Sequence, residues 1–345
     1  MSVTKKILSF YLKKLKDPLV QKLYKVFLNT ITSLDLNNKK IMVGVSGGAD
    51  SLNILFFSFY YALKNKIKLY PVIIDHKLRK ESTNEALNLK YKLKKNFKIN
   101  CKILSKRNSK IDKNLQSYAR DLRYDLFLKE CNKHNIDYLL LGHHKDDLIE
   151  NFFIRFLRGS GLKGLVSFNK NVSNYNGLKI VRPFLSTSKK ELIATNKKTF
   201  DFFIDDPTNY NDKFLRSRIR KLLKNLDKEG LNFNKFYLTL NNLSKSDQVI
   251  EFFVEKNVIE NSKYFEKHKK IILNQSFFNN PDEIILRSFS KVIQHISKKK
   301  NYPRGKKVIS LINFLKFSNK KVKLTLSGCI IEKIKDSVII YPEKR

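Results

Sequence analysis

The chain has 345 residues, enough for two or three domains and a sizeable buried core. It carries 70 Lys and Arg against 31 Asp and Glu, a formal charge of +39, and a surface this basic calls for a polyanionic partner, nucleic acid first among them. The cysteines Cys101, Cys131 and Cys329 stand far apart without a C-x-x-C pair, which excludes a disulfide framework or a cysteine-held cluster and suits a reducing compartment.

Lysines and Asp17 interrupt residues 1–20, so no secretory leader is expected there, and no apolar run reaches transmembrane length. The expectation is a soluble cytoplasmic protein with no membrane partner. Residues 16–34 read as an amphipathic helix, with Leu19, Leu23, Val26, Phe27 and Ile31 at helical spacing. Short apolar runs then alternate with longer helical patterns. The runs are 41–45, 69–74, 101–104 and 138–141, and the helical segments are 52–64, 82–96, 113–134 and 146–157. Runs that are apolar throughout predict a parallel sheet covered on both faces, an α/β Rossmann-like arrangement. Such sheets bind ligands outside the carboxyl ends of their strands. The polar residues there are the loop at 46–51, then Asp75 and His76, then Gly142, His143 and His144.

Residues 159–179, rich in Gly and Asn, read as loop. A short strand at 178–181 leads to Arg182 and Pro183, 188–200 is helical, and 205–209 is a turn with helix-capping residues. From about residue 211 the rhythm changes. Residues 213–268 are nearly all helix-compatible, Pro281 opens a helix over 282–298, another covers 306–315, and 321–341 returns to alternating strands. A boundary is expected near residue 225, with an α/β domain over 1–225 and, over 226–345, a mostly helical region ending in a small α+β domain.

Four constellations carry chemistry. In the first, a strand runs into Ser46-Gly47-Gly48-Ala49-Asp50-Ser51 and a helix follows. Glycines admit an anion to backbone N–H groups, and the helix N-terminus adds partial positive charge. In the second, His143, Asp147 and Glu150 open a helix at a strand end, with the two carboxylates three apart on one face. They are suited to holding an ammonium group, coordinating Mg²⁺ or moving protons, and equally to capping a solvated helix. The third comprises two separate clusters, Asp75-His76-Lys77-Leu78-Arg79 after a buried strand and, on another element, Arg120 and Arg123 on one helix face. Arg123 is the better candidate for a phosphate or carboxylate contact, and Arg120 for a surface ion pair. The fourth is the basic helix around 213–224. Arg216, Arg220 and Lys224 recur at i, i+4 and i+8, a spacing that costs helix stability unless an anion offsets it. With Arg218, these residues form the expected nucleic-acid contact.

The loop at 46–51 resembles that of the PP-loop ATP pyrophosphatases. The ordered series Ser46-Gly-Gly-Ala-Asp-Ser51, Asp75-His-Lys-Leu-Arg79, Ala119-Arg…Arg123-Tyr124, Gly142-His-His-Lys-Asp-Asp…Glu150, Arg182-Pro183, Asp205-Asp-Pro-Thr-Asn209 and Arg216-Ser-Arg-Ile-Arg220 is similar to the tRNA(Ile)-lysidine synthetase family. Similarity covers about 20–225 strongly and 281–345 more weakly, Pro303-Arg-Gly included. Asn151 stands where that family usually has Thr.

The resemblance implies adenylation, by ATP, of the wobble cytidine of a CAU-anticodon isoleucine tRNA. Attack by free L-lysine then gives lysidine, and the tRNA decodes AUA. It implies ATP on Ser46, Gly47, Gly48, Ala49, Asp50 and Ser51 with Asp75 and His76 beside them, and Mg²⁺ at Asp50. Asp50, Arg123, His143, Asp147 and Glu150 are the implied catalytic residues. The oligomeric state stays open, a homodimer included. The rivals are a tRNA 2-thiolation enzyme with the same loop and a non-catalytic RNA-binding protein. Paired cysteines would mark the cluster-dependent thiolation enzymes, and the intact loop speaks against a dead nucleotide fold.

Overall fold

The computed structural model describes residues 3–36, 39–77, 81–106, 115–204, 215–298, 306–317 and 321–343. The expected turn at 205–209, Leu78, Arg79, Lys213, Phe214 and Pro303-Arg-Gly lie outside the described residues. The chain divides into two compact units, Met1–Leu240 and Asn241–Arg345.

The first unit begins with helices α1 (Val3–Leu15) and α2 (Pro18–Ile31), α2 opened by Asp17, whose carboxylate accepts from the amides of Leu19 and Val20. The alternating part follows as β1 (Lys40–Val45), α3 (Ala49–Asn65), β2 (Lys68–Asp75), α4 (Ser82–Phe97), β3 (Lys102–Ser105), α5 (Leu115–His134), β4 (Tyr138–Leu140) and α6 (Lys145–Phe156). The unit continues with α7 (Leu162–Val166), β5 (Val172–Tyr175), β6 (Leu178–Val181), α8 (Lys189–Thr199) and α9 (Leu215–Lys228). Helix α10 (Phe233–Asn261) contains the division between the units.

The sheet order is β3-β2-β1-β4-β6-β5, parallel except for β5. One face packs Tyr11, Phe27, Phe56 and Phe57 from the surrounding helices with Phe184 after β6 and Phe200 at the end of α8, and the other packs Met42, Tyr124, Phe127 and Ile180. Burial on both faces is why β1 and β4 read as unbroken apolar runs. Strand order reverses between β1 and β4: the chain adds β2 and β3 on one side of β1, then crosses to the other. A crevice at the carboxyl ends of those two strands is the favoured ligand position in such sheets.

Two stretches differ from the sequence expectation. The predicted loop 159–179 contains α7 and β5. Strand β5 hairpins onto β6 through Asn176 and Gly177, both at positive φ (52° and 86°), as a tight two-residue connection requires. In the second unit the helical expectation for 213–268 fails from residue 262, where a 3₁₀ turn at Glu266–His268 separates two short strands. These are β7 (Ser262–Phe265) and β8 (Lys270–Leu273), which join a five-stranded sheet β7-β8-β11-β10-β9 with β9 (Val322–Leu326), β10 (Cys329–Ile334) and β11 (Ser337–Pro342). Against it pack α11 (Asp282–Ser297) and α12 (Lys306–Phe317), through a core that includes Phe277, Phe289, Ile293 and Leu315. A short apolar run such as β8 suits helix or strand, and pairing with β11 decides it.

Candidate active site

Strand β1 ends at Val45 and the chain turns through Ser46, Gly47 and Gly48 into α3. Gly47 sits at φ +89°, a conformation that L side chains rarely adopt. The loop is tied by one hydroxyl: Ser51 Oγ accepts from Ser46 N and Ser46 Oγ, each at 3.1 Å, and donates to Gly48 O at 2.9 Å. No side chain caps the first turn of α3. Its leading amides are therefore available to an external anion, at the positive end of a 17-residue helix.

The turn from β4 into α6 is pressed against this loop. A Cβ on Gly142 would lie 2.6 Å from Asp50 O and 2.9 Å from Ser51 N, so glycine is what allows the two turns to meet. The contact brings His144 between three carboxylates. Its Nε2 is 3.6 Å from Asp50 Oδ2 and 3.5 Å from Asp147 Oδ2, and its Nδ1 is 3.4 Å from Asp146 Oδ2. Burial disfavours a charged ring here, but Asp147, Asp146 and Asp50 outweigh it and push His144 up to about 9. Burial likewise raises Asp147, and His144, His143 and Arg216 overcome it, bringing that carboxyl down to about 2. His143 behaves oppositely. Burial pushes it down to about 3, and its ring stands edge-on to Phe168 with centroids 5.0 Å apart. The charged histidine of the site is His144, the neighbour of the one singled out from sequence.

Asp50 faces this cluster from the first turn of α3. Its Oδ2 accepts from Lys189 Nζ at 2.5 Å, while its Oδ1 is buried with no hydrogen-bond partner. Burial raises the Asp50 carboxyl, with His144 and Lys189 opposing. Mg²⁺ commonly takes one or two carboxylates together with substrate phosphates, and the free Oδ1 beside an anion-binding loop fits that donor set. Among the described residues no three His, Cys, Asp or Glu are grouped as an all-protein metal cage.

Lys189 was not legible as a site residue. It opens α8, whose N-cap Ser188 and Glu191 form a capping box, and its own amide donates to Asp146 Oδ2 at 2.9 Å. A lysine at a helix N-terminus opposes the helix dipole, and that misfit is the signal a sequence reading had available.

Glu150 is buried one turn after Asp146 and Asp147, and it binds Arg220 of α9. Arg220 Nε donates to Oε1 at 2.5 Å and Nη2 to Oε2 at 3.3 Å. Helix α9 is held there by Ile219 and Leu223 against Ile149. The like charges along α9 are thus offset first within the protein. Arg220 pairs with Glu150, and Arg216 lies within electrostatic reach of Asp147 and Glu150, whereas Arg218 and Lys224 are exposed. Burial raises the Glu150 carboxyl, with Arg220 opposing.

Asp75, at the end of β2, is buried, and its oxygens serve its own turn. Oδ1 accepts from Lys77 N and Ser82 Oγ, each at 2.9 Å, and Oδ2 from Thr83 Oγ1 at 2.7 Å. It therefore fixes the β2–α4 turn. His76 beside it meets Arg123, with His76 Nε2 and Arg123 Nη2 3.3 Å apart.

A family model described as a PP-loop domain matches residues 16–226. The tRNA(Ile)-lysidine synthase of Wolbachia pipientis wMel is 32% identical over 319 residues, 92% of this chain and 74% of the relative. The chain belongs to the tRNA(Ile)-lysidine synthase family. Family members from Orientia tsutsugamushi (strain Boryong) and Rickettsia typhi (strain ATCC VR-144 / Wilmington) are 31% and 32% identical, covering 89% and 93% of this chain and 70% and 74% of their own. Among solved structures, a U34-tRNA thiolase from Methanococcus maripaludis superposes with a TM-score of 0.55 at 18% identity, over 67% of this chain and 79% of that one. That likeness speaks to the PP-loop fold alone. In this lysidine synthase family member, Cys101, Cys131 and Cys329 are each buried as free thiols.

Proposed function

We propose that this chain modifies the wobble cytidine of an isoleucine tRNA with a CAU anticodon, using ATP and free L-lysine to form lysidine. One observation carries this reading: the uncapped phosphate loop and the pair Asp147 and Glu150 meet at a single strand-order reversal, linked through Asp50 and His144. Anion-binding backbone and ammonium-binding carboxylates side by side suit a reaction that joins an activated nucleotide to an amine.

In the first step, cytidine O2 attacks the α-phosphorus of ATP and pyrophosphate leaves. The amides of the loop at 46–51 hold the phosphates, and Lys189 next to Asp50 adds a cation where charge develops on the leaving group. Mg²⁺ would be held by Asp50 Oδ1 and would supply further charge neutralisation. In the second step the lysine side-chain nitrogen attacks C2, the C2–O2 bond breaks and AMP departs. Asp147, kept ionised by His144, attracts the incoming ammonium group. Glu150, whose proton affinity is raised by burial, accepts the proton that the amine must lose.

The test combines purified protein, ATP, radiolabelled lysine and unmodified tRNA transcripts. Lysine incorporation that depends on ATP and on the CAU transcript is expected, and RNA binding without incorporation overturns the reading. With Glu150→Gln, pyrophosphate release should persist while lysine transfer falls about a hundred-fold. Equal loss of both steps removes Glu150 from the proton transfer.

A further inference from the structure

The charges of the first unit are segregated around β4. On its β1 side Lys189 has Asp50, and His144 has Asp50, Asp146 and Asp147. On its β6 side the arginines lack such a direct pair, Arg216 only lying within electrostatic reach of Asp147 and Glu150. Arg182 follows β6 directly, Arg120 comes from α5 and Arg216 from α9, and none makes an ion pair among the described residues. They are close enough to feel one another. Arg182 feels Arg120, and both act on His143 together with Arg216.

Their geometry is fixed by neighbours other than carboxylates. The Arg182 guanidinium lies over the Phe168 ring at 4.9 Å and donates from Nη1 to Ser173 Oγ at 2.9 Å and to Lys170 O at 3.3 Å. Arg182 is only 5% exposed, and its Nε is buried with no hydrogen-bond partner. Arg120 stacks over Tyr124 at 5.2 Å, and Phe168 also carries the edge-on His143 ring. Guanidinium planes seated on aromatic rings, with donors to spare, are what phosphate recognition uses, and unstacked RNA bases favour aromatic, histidine and arginine surfaces.

We propose that Arg120, Arg182 and Arg216 form a second anion site that takes a phosphodiester beside the target base of the RNA, with His143 and Phe168 as its wall. The proposal rests on the functional reading above and names where that substrate's backbone sits. Strands β1 and β6 flank β4, so the two anion sites lie about two strand spacings apart, roughly 10 Å. The Ser46–Ser51 loop would hold the triphosphate on one side of Gly142, His143 and His144, and the arginines the nucleotide's backbone on the other.

The experiment measures affinity of the full chain for a CAU anticodon stem-loop RNA against salt concentration, and for ATP separately. Arg120→Gln and Arg216→Gln are each expected to weaken RNA binding about five-fold and to lower the salt slope by about 1, with ATP affinity unchanged. Lys64→Gln, which removes an exposed charge at the far end of α3, serves as the control and should change neither. RNA affinities equal to the Lys64→Gln value overturn the site. A fall in ATP affinity instead assigns the anion to the triphosphate and overturns it too. Failure of wild type to incorporate lysine, with these RNA effects intact, sinks the functional reading but not the anion site.

Discussion

Gly142→Ala tests the close approach on which the site depends. The new Cβ would sit 2.6 Å from Asp50 O and 2.7 Å from Asp50 C, where ordinary contact begins at 3.4 Å. One of the two turns must therefore retreat by roughly 0.8 Å, and both obstacles are backbone, so no side chain can rotate away. Overpacking of this kind costs about 2–3 kcal/mol, which for a chain of this size lowers Tm by about 3–4 °C. A misplacement near 1 Å between the phosphate loop and the carboxylates should also slow pyrophosphate release by about a hundred-fold. Gly48→Ala is the internal comparison. Its Cβ would meet only Ser46 Oγ at 3.7 Å, and Gly48 has an ordinary φ of −68°. Its Tm should stay within about 1 °C of wild type, while its ATP affinity falls because the new methyl stands where phosphate must approach. Thermal unfolding by circular dichroism and tRNA-dependent pyrophosphate release read both variants. Equal Tm values for the two alanine variants would refute the reasoning.

Other outcomes depend on the charges. His144 is raised from 6.5 to about 9, so the stability it adds is fully present below pH 6.5 and is lost as pH rises through 9, from about 3 kcal/mol to less than 1. In urea titrations, the gap between wild type and His144→Gln should close over that range, and a gap independent of pH removes the charge account. Lys189→Ala should raise the KM for ATP or slow pyrophosphate release by about ten-fold or more without altering RNA affinity; unchanged pyrophosphate-release kinetics remove Lys189 from the phosphate site. Arg220→Ala leaves the buried Glu150 carboxylate unpaired and should destabilise by about 1–3 kcal/mol, less than a fully buried pair because Arg220 is 36% exposed. Glu150→Gln in the Arg220→Ala background should recover part of that loss in chemical denaturation, and no recovery argues against the pair.

Much of the site was legible because its positions obey a local rule. Runs apolar on both faces mark parallel strands, and parallel strands place ligands at their carboxyl ends. The loop at 46–51, His143, Asp147 and Glu150 could therefore be found among the polar residues just beyond the end of each run, whereas Asp75, found the same way, serves its own turn. The Asn176-Gly177 hairpin was equally local in origin but lay inside a stretch whose Gly and Asn content read as plain loop.

Sequence alone determined the alternation of strands and helices, the glycine-bearing phosphate turn, the acids opening α6 and the excess of basic charge. All of these are set by neighbours within a few positions along the chain. Tertiary structure decided how the charges are partnered. Asp50 meets Lys189 across 139 positions, and Glu150 meets Arg220 across 70. His144 rather than His143 is charged because three carboxylates from two elements surround it. Burial and ion pairing depend on which elements pack together, and the crossover that places β4 beside β1 brings the loop and the acids into one crevice.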